Sequence, residues 1–427
     1  MVAQHVMLCF CSLALVACSG SDRDTSQSEL APTPVVTAQP PSVAKPRPTT
    51  TQVPSTPTLA PTSAPIMVPS NTATPTVVPP TATPFTMVGD MFNERVTYAT
   101  YVGNNEVALG DFNRDGALDI ATAAGAGQVD ILLGNGDGTF VAGVAFSAAR
   151  ANFLESGYVN NDSKIDLVVA DYINGALYTY LGNGDGTFAA GLMVDAPGTS
   201  QGLELAYLNG DSFIDAATVS PSSNQLVIFH GNGDGTFSLT QTLSTGSTPF
   251  NLKGGDFDED SDIDIIIGNS GDATLSLFLN QGDGTFASAI TMATSAYPEV
   301  GATGDWNGDN HLDVAVVHTS TSSLSIYLGE GDGSFKFPLQ VSTDSVPFGV
   351  ATLDSNLDGK LDLAVTTLSG FLNIFLGRGD GTFHSKISSS SPGSPRYLKI
   401  GNFDQNSLPD LAVPLYDGGS VDVYLAR

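Results

Sequence analysis

Three kinds of residue are scarce in this sequence, and each scarcity excludes something. Cysteine occurs three times in 427 residues, as Cys9, Cys11 and Cys18, so no disulfide framework can staple the chain beyond residue 18. Basic residues are few: 15 Lys and Arg stand against 44 Asp and Glu, for a formal net charge of −29. That balance excludes nucleic acid as a partner, which needs a basic footprint. It suits a soluble surface protein or a cation binder. Histidine is rare too. His5, His230, His311, His318 and His384 share no zinc or triad spacing, and no nucleophile elbow appears. Hydrophobic residues, at 41%, suffice for a sizeable core.

The apolar run at 6–17, VMLCFCSLALVA, is too short to span a membrane and fits the core of a signal peptide. It ends in Leu15-Val16-Ala17-Cys18, which resembles the lipobox of bacterial lipoproteins. The resemblance implies a signal peptide at 1–17, cleavage before Cys18 and lipidation of its thiol. The protein is then expected outside the cytoplasm, held to a membrane only through Cys18. Ser19 after the lipidated Cys resembles the sorting signal for the outer membrane in a two-membrane cell. Residues 18–85 are rich in Pro, Thr and Ser, as in PTPVVTAQPP, and read as a disordered, Pro-stiffened tether.

Beyond the tether the chain repeats. DFNRDGALD (111–119) returns as YVNNDSKID (158–166), YLNGDSFID (207–215), DFDEDSDID (256–264), DWNGDNHLD (305–313), DSNLDGKLD (354–362) and NFDQNSLPD (402–410). The intervals are 47, 49, 49, 49, 49 and 48 residues. GNGDGTF (134–140) keeps step, at 182–188 and 231–237 and as NQGDGTF (280–286), GEGDGSF (329–335) and GRGDGTF (377–383). A worn seventh copy, Val88-Gly89-Asp90-Met91-Phe92, stands at the front, with Phe92 19 residues before Asp111. The last repeat stops at VDVYLAR, one strand short, and NERVTYATY after Phe92 can supply that strand.

Each repeat reads as four short strands. In the fourth these are NLKGGDF, IDIIIGN, LSLFLN and ASAITMAT, with Gly, Asp and Asn between them. A period of roughly 40–50 residues per four-stranded unit is that of a propeller blade. The sequence predicts an all-β fold over 86–427: a seven-bladed β-propeller of four-stranded blades. The N-terminal strand joins the C-terminal blade and closes the ring, leaving no free sheet edge.

The acidic loop carries Asp or Asn at positions 1, 3, 5 and 9. Calcium takes six to eight hard oxygen ligands at ~2.3–2.6 Å and accepts irregular geometry. A tight loop presents side chains 1, 3, 5 and 9 and the carbonyl of residue 7 to one point. Position 6 favours a residue that tolerates positive φ. Four loops fit. They are Asp111, Asn113, Asp115 and Asp119; Asp256, Asp258, Asp260 and Asp264; Asp305, Asn307, Asp309 and Asp313; Asp354, Asn356, Asp358 and Asp362. The carbonyls are those of Ala117, Asp262, His311 and Lys360. The loops at 158–166 and 207–215 open with Tyr158 and Tyr207 and lose a carboxylate, and 402–410 is degenerate. The same residues could instead only shape Asx turns.

The loop pattern D-x-[DN]-x-D-G-x-x-D, the strand after it, the recurring GNGDGTF and the sevenfold count resemble the FG-GAP (VCBS-type) repeat family. That repeat builds the calcium-bearing propeller of integrin α-chain heads. The resemblance covers 86–427 and implies about four calcium sites, mainly structural, in a surface binding or adhesion module. A fold does not fix a function, because this family also includes lectin-like proteins and domains attached to enzymes.

Six positions before each loop the copies disagree: Asn105, Asn152, Gln201, Phe250, Glu299, Phe348 and Arg396. A varying ring on a near-symmetric scaffold is where a ligand could be read, though loop divergence gives the same pattern. The expectation is a monomeric, non-catalytic module for a protein or carbohydrate ligand at the cell surface. The alternative is a polysaccharide lyase or hydrolase on the same scaffold.

Overall fold

The β-branched runs that follow the acidic loops form strands buried along their whole length in all seven blades, as at Asp264–Asn269 and Asp313–His318. Continuous apolar runs are what strands covered on both faces require. The fourth strands, such as Leu192–Asp195 and Ile290–Ala293, are mostly exposed, so burial falls from the axis outward. This is seen in a computed structural model that describes residues 91–427 apart from Glu94, Ala126 and Ala149. The expected signal peptide (1–17), Cys18, the tether (18–85) and residues 86–90 lie outside the described residues.

Blade 4 shows the plan: Pro249–Gly255, Asp264–Asn269, Thr274–Phe278 and Ile290–Ala293 pair antiparallel in that order. The same order builds seven sheets, and no helix occurs among the described residues. In blade 1 the outer strand is split into Phe140–Ala142 and Phe146–Ser147. The innermost strands of successive blades lie side by side around one axis. Blade 7 takes its fourth strand from the other end of the chain: Val96–Ala99 pairs with Ser420–Tyr424, Val96 opposite Val423. Phe92 bridges Ala426 as Phe188 bridges Gly182. Val107, Ile120 and Leu132 of blade 1 share a core with Phe403, Ala412 and Val423 of blade 7.

The GDGTF turns join the blades. In each, the Asp accepts the N–H and hydroxyl of the Thr or Ser two residues on, as Asp185 does from Thr187 at 3.0 and 2.6 Å. In five of these turns the second Gly donates to the preceding blade's acidic loop, as Gly186 N–H does to Phe112, Gly333 to Phe257 and Gly381 to Trp306. A Cβ on that Gly would strike a leucine of the preceding blade in three turns, 2.3 Å from Leu425 at Gly138, 2.7 Å from Leu181 at Gly235 and 2.9 Å from Leu328 at Gly381. Acidic loops and GDGTF turns therefore meet on one face.

Side chains fill the axis. Lys399 reaches Glu155 at 2.5 Å and Glu106 at 3.6 Å, and Lys253 reaches Glu204 at 3.4 Å. Nearer the other face, Phe153, Phe348 and Tyr397 pack into one cluster with Phe250.

Candidate metal centre and the opposite face

Backbone shape sorts the acidic loops. Positions 4 and 6 are both left-handed in blades 1, 4, 5, 6 and 7: Arg114 and Gly116, Glu259 and Ser261, Gly308 and Asn310, Leu357 and Gly359, Gln405 and Ser407. Blade 3 has one such residue, Gly210, and blade 2 has none among the described residues. The loops that open with exposed Tyr158 and Tyr207 thus lack the doubly reversed turn. The turn itself accepts Ser as well as Gly or Asn.

Hydrogen bonds sort them further. In blade 1, Asp111 accepts the N–H groups of Asp115 and Gly116, both at 3.0 Å. Asn113 accepts from the Asp115 N–H at 2.9 Å, and its amide donates to Asp115 Oδ2 at 2.8 Å. Blades 5 and 6 repeat this, with Asn307 donating to Asp309 and Asn356 to Asp358, beneath Asp305 and Asp354. The third-position Asn therefore quiets its carboxylate neighbour without any cation. The residues expected to offer carbonyls (Ala117, Asp262, His311 and Lys360) each donate an N–H to the fifth-position carboxylate.

Blade 4 has no such amide, because Asp258 stands where blades 1, 5 and 6 have Asn. Oxygens of Asp256, Asp258 and Asp260 lie within 4.8 Å of one another. Asp256 Oδ1 and Asp258 Oδ1 are buried and accept no hydrogen bond. Burial first, then Asp260 and Asp256, holds the Asp258 carboxyl above the usual carboxylate range. Orphaned, mutually repelling oxygens are the mark of a site built for a cation, and the donor set is the hard oxygen type that calcium takes. Blade 7 leaves one comparable orphan, Asn402 Oδ1. Beside the blade 4 loop, an open recess lined by Asp256, Glu259, Asp305 and His311 runs to the blade 5 loop, where His311 Nδ1 meets Glu259 Oε1 at 2.5 Å.

The ninth-position aspartates do something else as well. All seven are fully buried. Asp264 Oδ2 accepts the Phe257 N–H at 2.9 Å, and its Oδ1 accepts the Asn280 N–H at 2.8 Å, tying the loop to the end of the third strand. The same pair of bonds holds Asp119, Asp313 and Asp362, and also Asp166 and Asp215 in the loops that begin with Tyr. Burial pushes Asp119, Asp264 and Asp313 up to about 6 despite these bonds. A ninth-position Asp is thus a blade staple everywhere, with a second lone pair on each oxygen for a cation where one fits. The sequence shows only that this Asp persists in loops that have lost the first carboxylate.

The varying ring on the other face is largely packed. Asn105, Gln201, Glu299 and Phe348 are buried, while Asn152, Phe250 and Arg396 are only partly exposed. The axis narrows there, so their side chains close it: Phe348 packs on Tyr397, and Asn105 donates to the Asn152 carbonyl at 3.0 Å. Of the histidines, His318 is sealed in blade 5 against Ser325 at 2.7 Å, both fully buried. His230 takes the place of the joint leucine, against the GDGTF glycine of blade 4, Gly284.

The FG-GAP-like repeat profile matches residues 207–267, 256–316, 305–365 and 354–413. Each match runs from one acidic loop through the next. No curated protein matches the sequence. Among solved structures, the chain is similar to BBS1N in its complex with ARL6DN: TM-score 0.58, 12% identity, covering 79% of this chain and 96% of that one. It is also similar to an Agrocybe aegerita lectin described as recognising non-reducing terminal N-acetylglucosamine: TM-score 0.52, 18% identity, 69% of this chain and 81% of that one. A Lactobacillus plantarum protein follows, with TM-score 0.51, 12% identity, 70% of this chain and 96% of that one. Identities this low carry the fold alone. Taken with the fold, the matches show FG-GAP-like repeats in four consecutive positions of a seven-bladed β-propeller.

Proposed function

We propose that this chain is a lipid-anchored, extracytoplasmic binding module for a protein or a glycan, with calcium as a structural element of its propeller. The observation that carries the metal is the blade 4 loop, with three converging carboxylates and two buried oxygens that nothing satisfies. Asp256, Asp258 and Asp260 would hold the ion, supported by Asp264 and the Asp262 carbonyl. Bound calcium would neutralise their repulsion and staple a chain whose only cysteines lie at its N-terminus. The loops of blades 1, 5 and 6 have the same backbone and fewer unsatisfied oxygens, so they rank below blade 4.

The binding role is supported by the repeat and by propellers of the same fold, one crystallised with a protein partner and one described as recognising a sugar. The anchor and location rest on the Leu15–Cys18 pattern. A screen of proteins and glycans in calcium, paired with an assay for product release, tests the reading. Binding without turnover is expected; released product would instead identify a polysaccharide-active enzyme.

A further inference from the structure

We infer that the axial mouth, closed by packed side chains, on the face away from the acidic loops binds a uronate sugar at its surface, with Arg396 reading its carboxylate. This deepens the binding role proposed above and rests on it. The Arg396 guanidinium lies 4.5 Å from the Phe348 ring centroid and 4.5 Å from that of Tyr416, a clamp that fixes its plane. Among the described residues no carboxylate pairs with it and its side chain makes no hydrogen bond; its Nε is buried without an acceptor. An unpaired guanidinium is conspicuous in a chain with 44 acidic residues, and an unsatisfied buried donor calls for an explanation.

Two acids lie nearby, Glu299 and Asp417, and neither forms an ion pair with it. Burial pushes Glu299 up to about 8, so it is mainly protonated at neutral pH, and its Oε2 accepts the Tyr397 hydroxyl at 2.9 Å. Asp417, which accepts the Ser394 hydroxyl, also lies within electrostatic reach of Arg396 at this mouth. The loops that lead into it are strained: Tyr297, Val346 and Ser394 have φ of 53°, 58° and 57°, where bulky and β-branched residues rarely sit. Strain of this kind collects at ligand clamps. A planar guanidinium is matched to a carboxylate. Tyr416 and Tyr297 are 37% and 41% exposed, which offers ring faces to a sugar and favours a uronate over a peptide terminus.

The test is calorimetric titration of the full chain with oligogalacturonate and oligoglucuronate, their methyl esters and the neutral parent sugars. The free acid should bind at least tenfold more tightly than its ester, and Arg396→Gln should abolish that preference. The ester comparison on the unaltered chain needs no variant, and a melting curve checks that R396Q is folded. Equal binding of acid and ester overturns the inference. So does a preference that survives R396Q, which would place carboxylate reading elsewhere, or binding confined to peptide carboxylates. If neutral glycans or a protein bind without acid preference, the binding role stands and this inference alone falls. If no protein or glycan binds at all, both fall.

Discussion

At the scale of single residues, two aspartates of one motif have different work. The ninth-position carboxylate satisfies two buried N–H groups in every blade, whereas Oδ1 of the third-position carboxylate of blade 4 satisfies none. Asp215→Asn, in a loop without the doubly reversed turn, turns an amide NH2 toward a buried N–H. It should cost ~1–3 kcal/mol by urea denaturation, the same in calcium and in chelator. Asp258→Asn should lose stability only in calcium, because it removes a ligand and relieves repulsion when no ion is present. Equal losses for D258N in both conditions would refute this division of roles. The spacing of the loop was legible in the sequence. The double duty of the ninth Asp was not, because its partners, such as the Asn280 N–H, are brought to it only by the third strand.

At the scale of strands and turns, the repeat period revealed the blades almost directly. Alternation, punctuation and buried runs all agree there, as in Asp264–Asn269. What periodicity cannot show is contact between repeats. GDGTF reads as a marker in one dimension; in the fold it is a joint, its second Gly pressed on a leucine of the blade before. His230 is the exception, and its Nε2 is buried without a partner. His230→Leu restores the pattern of Leu181 and Leu279 and should stabilise the protein by ~1–2 kcal/mol, read from the urea midpoint. A destabilised variant would mean that the imidazole has a use the joint alone does not explain. How far the varying ring is packed was not legible for the same reason: divergence and plugging look alike until Phe348 and Tyr397 are seen packed together.

At the scale of the molecule, the axis couples the blades through charge. Lys399 of blade 7 is held above its ordinary pKa by Glu155 and Glu106, although burial alone would lower it. Burial raises Glu106 to about 7 and Glu299 to about 8, from an ordinary 4.5. Carboxyls raised on folding contribute stability that is fully present below about 4.5 and lost as pH climbs through about 7 and about 8. In chelator, the urea midpoint should therefore fall from pH ~5 to ~9, and Glu299→Gln should fall less; identical slopes would remove Glu299 from the account. The central claim, that cations rather than disulfides staple this ring, is tested most directly by thermal melting of the full chain in calcium and in excess chelator. Chelation should lower the melting temperature by many degrees, with D258N shrinking the gap between the two conditions. A melt unchanged by chelator would contradict it.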